Sequence, residues 1–218
     1  MESLQYAKSI GYSEQELADT PEGVACHGCG NPTALAELQE GETVLDLGSG
    51  AGLDAFLAAR RVGATGKVIG IDGSAEVVAR ASDSAAKGNY AQVVFKQGEM
   101  ATLPVDDESV DVVISNCVLN YAGDKLAAFR EVFRCLKPNG RMVVTDLVAE
   151  GEFSDEVLQD KGWGEWLRRA LGKQDYLRAI EKAGFSEVAV VKETTFPMAE
   201  SDERLRGKIV SIAVTARK

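Results

Sequence analysis

Positive charge is scarce in this sequence. The 218 residues include 24 Lys or Arg against 34 Asp or Glu, so the formal net charge is −10 at pH 7. Binding to nucleic acid or to an anionic membrane surface needs clustered Lys and Arg. The composition therefore argues against both kinds of partner.

Long apolar runs are missing as well. No segment has the length of a membrane-spanning helix, and Met1–Gln5 has no signal-peptide pattern. We therefore expect a cytoplasmic protein whose four cysteines are reduced thiols rather than a disulfide framework. With 45% hydrophobic and 27% charged residues, the composition is that of a globular domain, and we expect a monomer.

A glycine-rich stretch organises the chain. An apolar run from Thr43 leads into a loop that ends at Gly52, a helical run follows, and Lys67–Asp72 is a second apolar run that ends in an acid. A strand, a glycine loop, a helix and a strand with a terminal acid are typical of a nucleotide-binding unit. Asp72 is then placed to bind ribose hydroxyls.

This loop departs from the usual dinucleotide fingerprint in two ways. Its third glycine, Gly52, comes one residue early, and an acid, Asp46, lies two residues before the first glycine, Gly48. A carboxylate at that place would repel a pyrophosphate and attract a cationic cofactor. The segment Asp46–Gly52 resembles the first motif of the class I S-adenosylmethionine methyltransferases, whose cofactor carries an ammonium and a sulfonium. We therefore favour this cofactor over NAD.

Strands and helices alternate along the whole chain without repeats, which predicts a doubly wound α/β sheet. We expect seven strands, mostly parallel, with one antiparallel strand because the last two are joined by a short loop containing proline. Beyond the two strands named above, we expect strands at 93–98, 109–116, 141–146, 187–194 and 208–215. Helices are expected at 33–40, 124–136 and 174–183, with Lys137–Gly140 stopping the second.

We divide this single methyltransferase domain, residues 1–218, into three segments. Residues 1–42 form an N-terminal lid and substrate segment that contains a Gly- and Pro-rich loop at 20–32. Residues 43–148 form the cofactor-binding core, and residues 149–218 form a substrate-side segment with the last strands.

The ligand of such a sheet binds outside the carboxyl ends of the strands. Glu99 and Met100 lie where a base could be bound, although Glu99 is equally well explained as a solvated loop acid. The cofactor-binding residues predicted in this way are Asp46, Gly48, Ser49, Gly50, Gly52, Asp72, Gly73, Glu99, Met100 and Asn116.

The cysteines suggest a further chemistry. Cys117 follows the fourth strand at the cofactor edge, where a substrate would lie, although burial as a small hydrophobe is the common fate of cysteine. Cys26 and Cys29 form a Cys-x-x-Cys motif, but no second pair exists, which argues against structural zinc. The context also differs from that of a thioredoxin-like redox pair. Cys135, on a predicted amphipathic helix, is interpreted as a core residue.

Taken together, six motifs are similar, in order, to those of the arsenite methyltransferases, and the similarity covers nearly the whole chain. The resemblance implies that Cys29 and Cys117 bind trivalent arsenic as thiolates, with Cys26 as a tentative third ligand. It also implies that the arsenic lone pair attacks the methyl group of S-adenosylmethionine. The motifs are Gly11–Glu14, Pro21–Gly23, Gly28–Pro32, Val44–Gly52, Ile114–Val118 and Leu136–Pro138.

One position departs from this family. Its members typically have a further cysteine where Trp166 stands here. Cys26 or an external thiol such as glutathione would then supply a third sulfur, or the substrate would be monomethylarsenite, or the substrate would not be arsenic. A methyltransferase of an organic thiol or other small molecule is therefore the main alternative, and a metalloid-binding protein without turnover is the non-enzymatic one.

Overall fold

The computed structural model describes residues 2–21 and 23–218, so Glu22 of the predicted loop lies outside the described residues, as does Met1. Seven strands form one sheet in the order β3-β2-β1-β4-β5-β7-β6. They are β1 (Thr43–Leu47), β2 (Lys67–Asp72), β3 (Val93–Gln97), β4 (Val110–Asn116), β5 (Leu136–Ala149), β6 (Ser186–Thr195) and β7 (Ile209–Arg217).

The pairing of the strands confirms the predicted fold class. The first five strands in sheet order, β3, β2, β1, β4 and β5, pair in parallel, whereas β7 is antiparallel to both β5 and β6. The helices are α1 (Glu2–Ser9), α2 (Glu14–Ala18), α3 (Pro32–Leu35), α4 (Leu53–Val62), α5 (Ala75–Lys87), α6 (Lys125–Cys135), α7 (Asp155–Leu158), α8 (Gly164–Leu167), α9 (Lys173–Lys182) and α10 (Pro197–Glu200), with a 3-10 turn at Leu119–Tyr121.

Two boundaries differ from the predictions. The helix expected at 33–40 ends at Leu35, because Glu37 has a positive φ of 48° and Arg141 donates hydrogen bonds to the carbonyls of Ala36 and Glu37. Lys137–Gly140, which was expected only to end α6, is already part of β5. The pairing of β5 with β4 shifts register between Val110 and Val112. This bulge accommodates the extra residues of the turn.

Side chains of β1 alternate between two cores. Val44 packs with α4 and α5 on one face, whereas Leu45 and Leu47 pack with α6 and α9 on the other. This alternation places Asp46 on the face of α4, at the carboxyl end of the sheet. The N-terminal segment covers that edge, since Tyr12 and Cys26 form a small cluster with Leu53 and Leu57 of α4.

Among the residues that the structure describes, no helix has the length and apolar character needed to cross a bilayer.

Candidate active site

The glycine loop makes a tight turn at the carboxyl end of β1. The amides of Gly48 and Ser49 both donate to the carbonyl of Ile71, at 2.8 and 2.9 Å. Gly48 and Gly50 have positive φ angles of 72° and 52°. A Cβ on Gly48 would lie 2.4 Å from the methyl carbons of Val118, whereas a Cβ on Gly50 would meet nothing within 4 Å. Gly48 therefore permits close packing, and Gly50 borders open space.

Asp72 lies beside this loop, as predicted for the acid that ends β2. Its two carboxylate oxygens accept hydrogen bonds from the amides of Gly50 and Ser74, each at 3.0 Å. Ser74 in turn caps α5. The carboxylate of Asp72 is thus held in a fixed orientation at the mouth of the loop.

A cavity of about 300 Å³ lies between the glycine loop, the segment 25–28 and the turn after β4. Tyr121 borders it at the protein surface. Six of the predicted cofactor-binding residues line this cavity, namely Asp46, Gly48, Ser49, Gly50, Asp72 and Asn116.

Four predicted residues lie outside the wall of this cavity: Gly52, Gly73, Glu99 and Met100. A Cβ on Gly52 would collide with Phe56 and Phe95, so glycine permits close packing there. Glu99 is exposed near Gly73, and Met100 packs half-buried against the core. Binding of a base by Glu99 and Met100 stays a prediction, as does cofactor binding by Gly52 and Gly73.

Asp46 is the most unusual group in the cavity wall. It is only 2% exposed, and its Oδ2 atom has no hydrogen-bond partner among the described residues. The same holds for Oγ of Ser49. Burial and the neighbouring Asp54 raise the pKa of Asp46 well above its usual value. An unpartnered buried carboxylate beside a cavity fits a ligand that brings positive charge and N–H donors.

Asn116 connects the cavity to the cysteine-containing loop. Its Oδ1 atom accepts from the amide of Cys29 at 2.9 Å and from Oγ1 of Thr145 at 2.8 Å. Its Nδ2 atom donates to the carbonyl of Gly30 at 2.9 Å and to Asp54 at 3.0 Å. The amide predicted to bind the cofactor is therefore occupied with holding protein segments together.

Cys29 and Cys117 are brought together from distant parts of the chain. Their sulfur atoms and a carboxylate oxygen of Asp146 lie within 4.8 Å of one another. Cys117 has a positive φ of 63°, and its amide donates to the carbonyl of Thr145 at 2.7 Å. On the other side, Oγ of Ser211 donates to the carbonyl of Cys29 at 2.7 Å. Backbone contacts thus fix both cysteines.

The thiols differ in their surroundings. Cys29 is 3% exposed, and burial together with the nearby sulfur of Cys117 raises its pKa well above the usual value. Cys26 lines the cavity, and burial raises its pKa to about 11. Cys26 does not belong to the close group formed by the other two cysteines and Asp146. Cys135, the last residue of α6, is buried in the core.

Asp146 was not predicted as a site residue. It lies within β5, one residue after Thr145, which pairs with the last residue of β4, and burial raises the pKa of its carboxyl to about 6. Asp54 was missed as well, although it accepts hydrogen bonds from Tyr12, Thr33 and Asn116 in the cavity wall. An acid that follows an apolar run was the available signal for Asp146, as it was for Asp72.

Aromatic side chains belong to the same hydrophobic cluster as the cysteine pair. Cys29 belongs to a buried cluster with Trp166, Phe196 and Leu147, against which Cys117 packs. Trp163 contacts Trp166 edge-on, with 5.9 Å between the ring centroids. Trp166, at the position where the arsenite methyltransferases typically have a further cysteine, thus lies in the same cluster as Cys29.

Comparison with known proteins places this site in a family. Residues 38–184 match the family described as a methyltransferase domain. The chain is 41% identical over 218 residues to an arsenite methyltransferase of Halobacterium salinarum. This alignment covers 97% of the present chain and 56% of the relative. The chain is also 31% identical over 202 residues to the human arsenite methyltransferase, covering 88% of this chain and 53% of that protein. The chain thus spans about half the length of these curated relatives.

A solved structure agrees with the sequence similarity. The crystal structure of an arsenic(III) S-adenosylmethionine methyltransferase from Chlamydomonas reinhardtii superposes with a TM-score of 0.74 at 29% identity, covering 99% of this chain and 72% of that chain. The sheet order, the glycine loop and these matches lead to one assignment. The chain belongs to the class I S-adenosylmethionine methyltransferases, and among them it is similar to the arsenite methyltransferases.

Proposed function

We propose that this chain transfers a methyl group from S-adenosylmethionine to trivalent arsenic bound by Cys29 and Cys117. The observation that carries the proposal is the close approach of these two thiols, of which Cys117 lines the glycine-loop cavity. Thiolates are soft ligands, which suits a thiophilic metalloid. The curated relatives named above support the same chemistry.

The cavity wall fits S-adenosylmethionine. Oδ2 of Asp46 and Oγ of Ser49 are buried acceptors without partners among the described residues, and they would bind the ammonium of the cofactor. Asp72, fixed by the amides of Gly50 and Ser74, would accept hydrogen bonds from the ribose. When bound, the cofactor supplies an electrophilic methyl group on a sulfonium, whose sulfur keeps the electron pair of the broken C–S bond.

The cysteines would bind arsenic without a general base. Each thiol that replaces a hydroxyl group of the arsenical gives its proton to that hydroxyl group, which leaves as water. A raised thiol pKa, as at Cys29, is therefore compatible with binding. The protein would then hold the arsenic lone pair toward the cavity, and positioning of the two reactants is its main contribution to the rate.

We further propose that the site uses two protein sulfurs. Cys26 lies outside the close group of donors, and Trp166 stands at the position of the family's additional cysteine. The third substituent of the arsenic would then be a methyl group, as in monomethylarsenite, or an external ligand such as the thiolate of glutathione. This chemistry needs reduced thiols, which suits the predicted cytoplasmic location.

The aromatic cluster favours one alternative. Trp163 contacts Trp166 and Phe196 in the cluster that contains Cys29, and an apolar environment of this kind suits a small organic substrate such as a thiol. Such a substrate would not need both cysteines as ligands.

Product analysis tests the proposal. The chain is given S-adenosylmethionine, glutathione and either arsenite or monomethylarsenite, and methylated arsenicals are separated and counted. We expect turnover by the wild type and by Cys135→Ala, and losses of about 100-fold or more in Cys29→Ser and Cys117→Ser, because positioning effects have that size. If the wild type binds S-adenosylmethionine but methylates neither arsenical, the proposal is wrong and the organic substrate is favoured.

A further inference from the structure

Asp146 is the third member of the group that Cys29 and Cys117 form, and it is 1% exposed. The reaction proposed above assigns it no role. It lies within β5, one residue after Thr145, which pairs with the last residue of β4, so the rigid sheet fixes its backbone beside both sulfurs. A carboxyl group buried this deeply is costly to the fold, which makes its presence beside two nucleophilic side chains informative.

Four donors hold this carboxylate in place. Oδ1 accepts from Nδ2 of Asn120 and from the amide of Leu147, each at 2.9 Å. Oδ2 accepts from the amide of Asn120 at 3.2 Å and from the hydroxyl of Tyr176 at 3.1 Å. Each oxygen thus accepts two hydrogen bonds, which fill its in-plane lone pairs and favour the ionised form. Asp146 is therefore better suited to act as a fixed negative charge than as an arsenic ligand.

We propose that Asp146 stabilises the positive charge that arrives on arsenic during methyl transfer. This inference rests on the proposed function. It goes beyond that function because it assigns catalytic electrostatics to a residue that binds neither the methyl donor nor arsenic directly.

The charge balance of the reaction gives the reason. The arsenic lone pair becomes the new As–C bond, and the pair of the broken C–S bond stays on sulfur. One unit of positive charge therefore leaves the sulfonium and arrives on the arsenic between Cys29 and Cys117. Asp146 lies on the arsenic side of this transfer, within 4.8 Å of both sulfurs. Its four hydrogen bonds are already made in the free protein, so no reorganisation is needed when the charge moves.

The test is Asp146→Asn, which removes the charge with little change in shape. We expect kcat for monomethylarsenite or arsenite to fall about 100-fold, the size usual for one preorganised electrostatic group. The KM for the arsenical should change less than about threefold, because the interaction strengthens only in the transition state. Without cofactor, the affinity for phenylarsine oxide, followed by tryptophan fluorescence, should also stay within about threefold, since both thiols remain.

Tyr176→Phe is the matched control, because it removes one of the four donors and keeps the carboxyl group, which is ionised when both variants are compared at about pH 8 or above. The aromatic contact with Phe129 is retained. We expect its kcat to fall no more than about threefold, as is typical for loss of one hydrogen bond. If Asp146→Asn does not fold, Asp146→Ser carries the same test with a smaller neutral side chain.

Each remaining outcome overturns the inference in a recognisable way. Equal losses in Tyr176→Phe and Asp146→Asn would show that the network matters and the charge does not. A large loss of phenylarsine oxide affinity in Asp146→Asn would make Asp146 a ligand or a structural residue, and an unchanged kcat would exclude the electrostatic role. Absence of arsenical turnover in the wild type would instead contradict the proposed function itself.

Discussion

Three carboxyl groups close to the proposed reactants are buried, and burial raises the pKa of each. They are Asp46, Asp54 and Asp146. A raised pKa in the folded state means that ionisation is less favourable there than in the unfolded chain. At neutral pH these residues therefore destabilise the free protein, and a ligand with positive charge would offset part of that penalty.

Asp46→Asn tests separately the effect of this carboxyl group on stability and its effect on cofactor binding. Below the unfolded pKa both side chains are neutral, so the variant and the wild type should unfold at the same temperature. As pH rises through and above that value, Asp46 ionises at a cost, and the variant should become more stable by about 3 °C or more near neutral pH. Affinity for S-adenosylmethionine should fall about tenfold or more, because a charge-assisted hydrogen bond is lost.

Thermal unfolding across pH and calorimetric titration with S-adenosylmethionine measure the two effects. A variant that is less stable than the wild type at neutral pH, or that binds the cofactor equally well, would contradict the role given to Asp46.

Gly50 tests the cavity at a second residue. Gly50 and Gly207 both have positive φ, 52° and 72°, and a Cβ on either would meet nothing within 4 Å. Substitution by Ala should therefore cost each about 1–2 kcal/mol of unfolding free energy through backbone strain alone. Only Gly50→Ala should also weaken S-adenosylmethionine binding, because only Gly50 lines the cavity. Urea unfolding and calorimetric titration compare the two variants, and equal cofactor affinities would argue against this cavity as the cofactor site.

The loop that carries Cys29 depends on a side chain from β4. Asn116 bonds to the backbone of Cys29 and of Gly30, and a Cβ on Gly28 would lie 2.2 Å from its amide nitrogen. Asn116 also bonds to Asp54 at the start of α4. One side chain thus joins three segments of the chain, and the next residue is Cys117.

Asn116→Ala should undo this connection. We expect a loss of about 3 kcal/mol in unfolding free energy, since several buried partners are left unsatisfied, and a weaker affinity for phenylarsine oxide because Cys29 is no longer held near Cys117. Thr145→Val removes one hydrogen bond to Asn116 and should cost about 1 kcal/mol with the arsenical affinity retained. Urea unfolding and fluorescence titration measure both quantities. An arsenical affinity in Asn116→Ala equal to that of the wild type would show that Cys29 does not need this support.

The elements of this fold differ in how well local sequence predicts them. Helix caps of the kind found at Ser13, Ser74 and Asp124 are local features, because each side chain acts over only three residues. The early end of α3 could not be predicted from local sequence. Arg141, more than a hundred positions away in the chain, donates a hydrogen bond to the carbonyl of Ala36, just after the helix. The position of Asn116 at a strand end suggested cofactor binding, and only the tertiary structure shows which partners its amide contacts.

At the scale of the whole molecule, the sheet was predictable because its parallel strands are buried apolar runs separated by helices. The approach of Cys29 to Cys117 was not derivable from the residues alone, since 87 positions separate Cys29 from Asn116, which holds it. The prediction that the two cysteines act together came from the family resemblance. Asp146 was missed because no motif surrounds it, although the strand predicted at 141–146 ends in this acid.

The network from Asp54 through Asn116 to Gly30 connects the two halves of the site, so the two ligands should bind with positive coupling. We expect S-adenosylhomocysteine to raise the affinity for phenylarsine oxide about fivefold in the wild type, within the usual range of such couplings. The coupling should disappear in Asn116→Ala. Fluorescence titrations with and without S-adenosylhomocysteine measure it, and equal affinities in the wild type would contradict a connected site.

The number of sulfur atoms bound to arsenic shows whether Cys29 and Cys117 form the arsenic site. Arsenite is added to the chain in a buffer without thiols, and X-ray absorption at the arsenic edge counts its sulfur neighbours. We expect two sulfurs in the wild type, two in Cys26→Ser and one in Cys117→Ser. An arsenic atom without sulfur neighbours, or a count that falls in Cys26→Ser but not in Cys117→Ser, would contradict the site described for Cys29 and Cys117.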